Sequence, residues 1–368
     1  MKRILIYIIL FFNIINGCKE PYDFNVENES TNLVIESMIS NKSYLDTKAY
    51  PSDGRYFTVK LSLTNSVKNT RPAKVNNAEV RLEMSDSSYL EYTPSGQEDG
   101  LFYLEHDNFK AKAGIGYRLK VIYDEVEYTS SWQYLPKYVS DDHIDTVSFD
   151  EVEKDIIPAG SLDNEIVSVN GIMVKASMGN NTVNNEVSYY RWKFQAMWVF
   201  KAAMVGPEDP NKVCWVTDKN YLNGYVMGKG AGASHEENLF FVQTHDNEKI
   251  YYDYSVLIIQ EHLNKPTYDF WLEMQQSIDD GLIPSAQPYN LPTNFSSKLP
   301  VNGFFSVVGE SAYRWYFKKS QLSYYVEDDL RYNCIYYKDL GPYAETCLSC
   351  LAYSGSPTTR KPSWWKPN

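Results

Sequence analysis

Tyr190-Arg191-Trp192-Lys193-Phe194-Gln195-Ala196-Met197-Trp198 places Tyr, Trp, Phe, Ala and Trp at the even positions and mostly polar groups at the odd ones. Successive side chains of a strand leave opposite faces, so an alternation this long marks a β-strand with one buried face. Outward from it, Tyr254 to Ile259, Gly303 to Val308 and the aromatic run Tyr313 to Phe317 add further strands. The surroundings of the opening strand are therefore mainly β.

Towards the N-terminus the same pattern recurs in shorter units. Leu33 to Ile39, Phe57-Val59-Leu61-Leu63 and Val80-Leu82-Met84 are apolar or alternating, with Asp53-Gly54 and Asn76-Asn77 between them as turn signals. Asp99-Gly100 precedes Leu101 to Leu104. Tyr117 to Tyr123 then alternates and is separated from Val126-Glu127-Tyr128 only by Asp124-Glu125, the length of a tight hairpin. Short strands at this spacing predict an N-terminal antiparallel β-sandwich, immunoglobulin-like or transthyretin-like, over 33–138. The polar cluster Ser140-Asp141-Asp142 marks the seam, and a larger β-rich C-terminal domain is expected over 139–368.

One segment breaks the β pattern. Between Pro266 and Asp280, Phe270, Trp271, Met274 and Ile278 share one side of a 3.6-residue period, which predicts an amphipathic helix near 266–280. Pro266 suits a first turn, where its missing N–H costs nothing, and Gly281 suits the residue just past the end. A long stretch rich in proline, Leu282 to Leu299, follows. Loops of that length are often functional.

The first residues concern address rather than fold. Met1-Lys2-Arg3 leads into an apolar run from Ile4 to Ile15, and Asn16-Gly17-Cys18 closes it. The run is too short to span a bilayer, which takes about 20 residues, and has the basic start and small residue of a secretory signal. A cysteine directly after the small residue resembles a bacterial lipobox. Residues 1–17 are thus expected to be removed as a lipoprotein signal peptide, Cys18 to carry acyl chains such as palmitate, and residues 18–32 to form a lipidated tether.

The full chain carries 35 Lys and Arg against 47 Asp and Glu, a net charge of -12, and loss of Lys2 and Arg3 with the leader leaves 33 against 47, a net charge of -14. That balance disfavours nucleic acid, whose phosphates need clustered cations. The 31 tyrosines suit half-buried strands, their rings packed and their hydroxyls reaching water. Cys214, Cys334, Cys347 and Cys350 form an even set in an exported chain, which points to two disulfides. Cys347-Leu348-Ser349-Cys350 either closes on itself or sends its members to Cys214 and Cys334, and spacing alone does not choose. None of His106, His143, His235, His245 and His262 forms a zinc-type pair, so no metal or cofactor is expected. Gly228-Lys229-Gly230-Ala231-Gly232 lacks phosphate-loop spacing and reads as a flexible loop. His245 beside Asp246 and His262 beside Glu261 are expected to be solvated surface histidines, since strand neighbours point to opposite faces. Asp141-Asp142 and Asp279-Asp280 are ordinary pairs in an acidic chain. Nothing here calls for catalysis.

Together these residues resemble a family of Bacteroidota lipoproteins catalogued as domain of unknown function 4249. The resemblance is carried by Cys18-Lys19-Glu20-Pro21-Tyr22-Asp23, Leu33-Val34-Ile35-Glu36, Gly116-Tyr117-Arg118-Leu119, Tyr128 and Ile144-Asp145. It continues through Tyr268, Trp271, Gly281, Gln287-Pro288, Asn294, Gly303-Phe304-Phe305, Cys347, Cys350, Gly355, Lys361-Pro362 and Trp365. Ser349 and Trp364 depart from the family, which often has an acidic residue and a phenylalanine there. The resemblance implies an outer-membrane, surface-exposed lipoprotein often encoded beside a TonB-dependent receptor. The expected role is a non-enzymatic ligand-binding accessory of that transporter in nutrient uptake. The alternative is an adhesive or structural surface lipoprotein without a transporter.

Overall fold

The computed structural model describes residues 31–64, 73–137, 143–157, 166–178, 187–230, 235–279, 292–338 and 343–366. The signal peptide and Cys18 lie outside the described residues. The first eight strands are β1 Leu33–Ser40, β2 Phe57–Leu63, β3 Glu79–Met84, β4 Tyr89–Glu91, β5 Thr93–Pro94, β6 Leu101–Leu104, β7 Tyr117–Tyr123 and β8 Val126–Ser130. After them come β9 Ile144–Ile156, β10 Val167–Met178, β11 Ser188–Lys201, β12 Val213–Thr217, β13 Tyr225–Gly230, β14 His235–Gln243, β15 Tyr254–Leu263, β16 Phe295–Ser297, β17 Val301–Phe317 and β18 Ser356–Thr358. The α-helices are α1 Tyr44–Lys48, α2 Lys265–Asp279, α3 Leu330–Lys338 and α4 Glu345–Leu348. The mainly β reading stands, as does the amphipathic helix.

Three sheets organise these strands. A ten-stranded sheet runs β18-β12-β11-β15-β17-β1-β2-β6-β5, with β13 also pairing β11. A five-stranded sheet, β16-β8-β7-β3-β4, and a three-stranded sheet, β14-β10-β9, are the other two. Two cores result. Ile35, Leu61, Phe102, Leu82, Leu119 and Val121 join strands of the large and five-stranded sheets, while Trp192, Trp198, Tyr254, Trp315, Val174 and Val242 join the large and three-stranded sheets. Apolar side chains alternate inward along strands such as β7, while the central strand β15 is buried on both faces.

The sandwich core does not close with residues 33–138 alone. Phe295 on β16 and Val301, Phe305 and Val307 on β17 complete it. β17 is the shared element: its first half, Val301 to Val308, pairs with β1, and its second half, Gly309 to Phe317, pairs with β15. The β1–β17 pairing is parallel, while the other strand pairs described are antiparallel, as the sandwich reading expects. Only a long crossover connects parallel strands, and here most of the chain is that connection. Gly303 makes the pairing fit. It sits at φ +114 opposite Ile35, and a Cβ there would lie 1.9 Å from the Ile35 carbonyl oxygen. The hairpin expected at Asp124-Glu125 is present, both residues at positive φ (51 and 61) as a two-residue type I′ turn requires.

The glycine segment differs from its reading as a loop. Gly228 to Gly230 lie in β13 and pair with β11, Gly228 standing opposite Tyr190. The reason is steric, because a Cβ on Gly228 would come within 2.6 Å of the Trp192 ring. Ala231 and Gly232 lie outside the described residues.

Candidate functional site

The odd positions of β11, left as polar by the alternation, face away from the aromatic core and carry a row of charge. Strand register sets Arg191 opposite Glu261 and Glu261 opposite Glu310 on β17. Arg191 Nε lies 2.5 Å from Glu261 Oε2, and Lys193 pairs with the other carboxylate oxygen. Arg55 reaches from the N-terminal part of the chain to pair with Glu310. Arg191, Glu261 and Glu310 are all buried, at 3%, 0% and 4% exposure. Burial alone would raise the Glu261 carboxyl, but the charges and hydrogen bonds of Arg191 and Lys193 outweigh it and hold its pKa at about 2.

Helix α2 covers this row. The Arg191 guanidinium stands 3.7 Å from the centre of the Trp271 ring, a cation–π contact strengthened by the exclusion of water. Tyr225 donates its hydroxyl to the Trp271 carbonyl at 2.9 Å, and Phe270 stacks on Phe304 with ring centres 4.8 Å apart. The periodic apolar side of the helix is thus spent partly on a buried cation.

Beside the row the same face opens into a cleft of about 210 Å³. Gln195, Met197, Thr217 and Arg314 form its strand side, Asp53 and Trp364 its far side. The far wall is built locally. Ser43 caps α1 by accepting from Asp46 N while the Asp46 carboxylate accepts from Ser43 N, a reciprocal capping box. Thr47 Oγ1 then accepts from Arg55 N at 3.0 Å, and Ser52 Oγ donates to Thr47 O at 2.6 Å, folding residues 47–55 back on the helix.

Arg314 crosses the cleft. Its Nε donates to Pro51 O at 3.0 Å, and its guanidinium lies 4.2 Å from the centre of the Trp364 ring. Trp364 Nε1 in turn donates to Asp53 Oδ1 at 2.8 Å. Burial lowers the Arg314 pKa to about 10, with Tyr316 and Asp53 opposing that shift, so it remains a cation at neutral pH. The adjoining Trp365 is 4% exposed and packs on Met197 and Val199, which fixes the C-terminal segment over the sheet.

The sequence-expected site residues lie elsewhere. Cys214 pairs with Cys350 and Cys334 with Cys347, so the Cys-x-x-Cys segment does not close on itself. A second cavity of about 230 Å³ lies beside the latter bridge, lined by Phe200, Leu330, Cys334, Cys347 and Tyr353 among others. His262 is buried at 6% exposure and stacks on Tyr190 with ring centres 5.5 Å apart. Its reading as a surface histidine is corrected: the long strand β15 is buried on both faces. Glu261 points to the opposite face, as strand neighbours must. His245 stacks on Tyr324 at 5.9 Å, and His143 lies 3.2 Å from Asp145. Among the described residues no group of three or more His, Cys, Asp or Glu is placed to hold a metal. Of the cleft and the ionic row, the sequence offered only the alternation of β11 and the adjacency of Glu261 and His262.

The model of the family described as domain of unknown function, DUF4249, matches residues 19–314, and the chain belongs to that family. Trp364 lies beyond the matched region. No curated protein matches. Among solved structures, a DUF4785 family protein from Legionella pneumophila is 10% identical at a TM-score of 0.20, with 62% of this chain and 52% of that chain covered. A biofilm associated protein, BSP domain, is 10% identical at a TM-score of 0.18, with 67% and 58% covered. The chain thus spans little more than half the length of either.

Proposed function

We propose that the protein is a non-enzymatic lipoprotein anchored in the outer membrane through Cys18, surface-exposed, and acting as a ligand-binding accessory of a TonB-dependent transporter in nutrient uptake. The observation that carries the reading is the leader itself, Met1-Lys2-Arg3, an apolar run and Gly17-Cys18. An acylated cysteine followed by a polar segment holds a folded body near a membrane without burying it. The family resemblance points to the transporter as partner. The cleft beside Arg314 supports a ligand-binding role, since it combines a cation, an aromatic ring and polar strand side chains in one concave surface.

The test is purification of the tagged full-length protein from outer membranes in mild detergent, with mass spectrometry of what accompanies it. A stoichiometric TonB-dependent receptor is the expected result. Repeated recovery of the anchored protein alone overturns the transporter role and shifts the reading to adhesion. Cys18→Ala is expected to move the protein to the soluble fraction. Retention of that variant in the membrane overturns the anchor.

A further inference from the structure

The charge around the cleft is opposite in sign to that of the chain. Across this face Arg55, Arg191, Lys193 and Arg314 stand against Asp53, Glu261 and Glu310, while the chain as a whole carries -12. Three of the four cations are matched: Arg191 and Lys193 share Glu261, and Arg55 holds Glu310. Arg314 is not. Among the described residues no carboxylate comes within the 4.0 Å of an ion pair with it, and Asp53 commits one oxygen to Trp364.

A half-buried guanidinium without a counter-ion costs desolvation that the fold recovers only in part through Pro51 and the Trp364 ring. Its Nε is used on Pro51, but neither Nη atom has a hydrogen bond to a described residue, and neither is among the buried orphan atoms. Those two nitrogens therefore keep accessible surface on a side chain that lines the cleft. A guanidinium presents its donors as a planar fork that matches two oxygens of one anionic group. Gln195 and Thr217 line the same volume and offer an amide and a hydroxyl for the remaining lone pairs.

We propose that this cleft is a binding site for a small oxyanion or for the oxyanion end of a larger solute, held by the Arg314 fork with Gln195 and Thr217 beside it and Trp364 as a wall. The volume supports a group of that size. Pockets for drug-sized molecules occupy about 300–1,000 Å³, and this cleft holds about 210 Å³. Carboxylate, sulfate and phosphate share the required chemistry. The site names a ligand class for the accessory role proposed above and rests on that reading for its biological meaning. The binding itself does not, because it is measured on the purified protein without a transporter.

The experiment is calorimetric titration of the full-length protein with acetate, sulfate and phosphate in turn, against chloride at matched ionic strength. Saturable binding of at least one oxyanion over chloride is expected, and the order of the three identifies the group preferred. Arg314→Gln should weaken that binding about tenfold or more, whereas Arg314→Lys, which keeps the charge and loses the fork, should fall between. Gln195→Glu provides a test independent of folding defects, because residue 195 is exposed and the change is isosteric. It places a carboxylate in the cleft, and should abolish oxyanion binding while raising the melting temperature. Absence of saturable binding to the folded wild type, or unaltered binding in both Arg314→Gln and Gln195→Glu, overturns the proposal. A receptor recovered without oxyanion binding would remove this site and leave the accessory role standing, and the converse would remove the role and leave the site.

Discussion

The two faces of strand β11 come from one alternating sequence and do different work. Its even positions, Tyr190, Trp192, Ala196 and Trp198, belong to the aromatic core shared with the three-stranded sheet. Its odd positions, Arg191, Lys193 and Gln195, belong to the ionic row and the cleft. The first face is held by area: each large ring removed from water contributes by its size, with little demand on partner identity. The second is held by pairing, and a buried charge is tolerable only while its counter-charge stays in place. Damage to the first should therefore scale with volume, and damage to the second with charge.

The largest expected effects are of similar size on the two faces, beginning with the aromatic one. Trp198 is 1% exposed and meets Tyr221 and Tyr353 edge-on, at 5.5 and 6.2 Å between ring centres. Trp198→Ala should cost about 3–5 kcal/mol through lost transfer energy and the cavity left behind. Trp198→Phe should recover much of it, and denaturant unfolding of both variants checks the order. Equal losses in the two would show that the indole is held by something other than volume, and would break the contrast between the faces.

On the ionic face, Glu261→Gln keeps the side-chain shape and removes only the charge. Arg191 would then be buried without a counter-ion, with an expected loss of about 3–5 kcal/mol. The same carboxylate makes a pH signature. Its folded-state pKa of about 2 lies below the ordinary 4.5, so its contribution is complete above about pH 4.5 and is lost as pH falls from there towards 2. The wild type should lose stability over that interval, and Glu261→Gln should lose less of what remains. A variant with the same acid slope as the wild type would separate the row from acid stability.

How much of this was legible follows from distance along the chain. The aromatic face could be read because its period of two lies within nine residues, and helix α2 because Phe270, Trp271 and Met274 share one turn and a half. The row could not, because Arg191 and Glu261 are 70 positions apart and the Arg55–Glu310 pair 255. Only the register of β11, β15 and β17 unites them. Adjacency gave the direction and not the burial: Glu261 and His262 do leave opposite faces of β15, but His262 is buried because Tyr190, from a neighbouring strand 72 positions earlier, stacks on it. The same holds for the sandwich, whose parallel partner for β1 comes from the far end of the chain. Arg314 is hidden for a further reason, since a guanidinium in an aromatic strand looks like any polar position until its missing partner is seen.

The smallest expected effect tests whether the two faces communicate through the cleft wall. Ser43 is 4% exposed and caps α1, whose Thr47 anchors both Ser52 and Arg55. Ser43→Ala removes the acceptor for Asp46 N and should cost about 1 kcal/mol, the usual worth of an N-cap. The backbone hydrogen bond from Ser43 is also the main cause holding the Asp46 carboxyl at about 2, with Lys110 assisting, and the variant keeps that N–H. Its acid profile should therefore change little even as stability falls. What should change is the wall, because residues 47–55 carry both the Pro51 carbonyl that orients Arg314 and the Arg55 that neutralises Glu310. Loosening of the wall frees the guanidinium on one side and exposes the row on the other. Hydrogen exchange should then quicken at Arg55, whose amide bonds to Thr47, and leave the core strand β15 untouched. Faster exchange confined to α1 would show that the wall is held by Arg314 and Arg55 from the sheet side, making the ionic face the support of the cap and not its dependant.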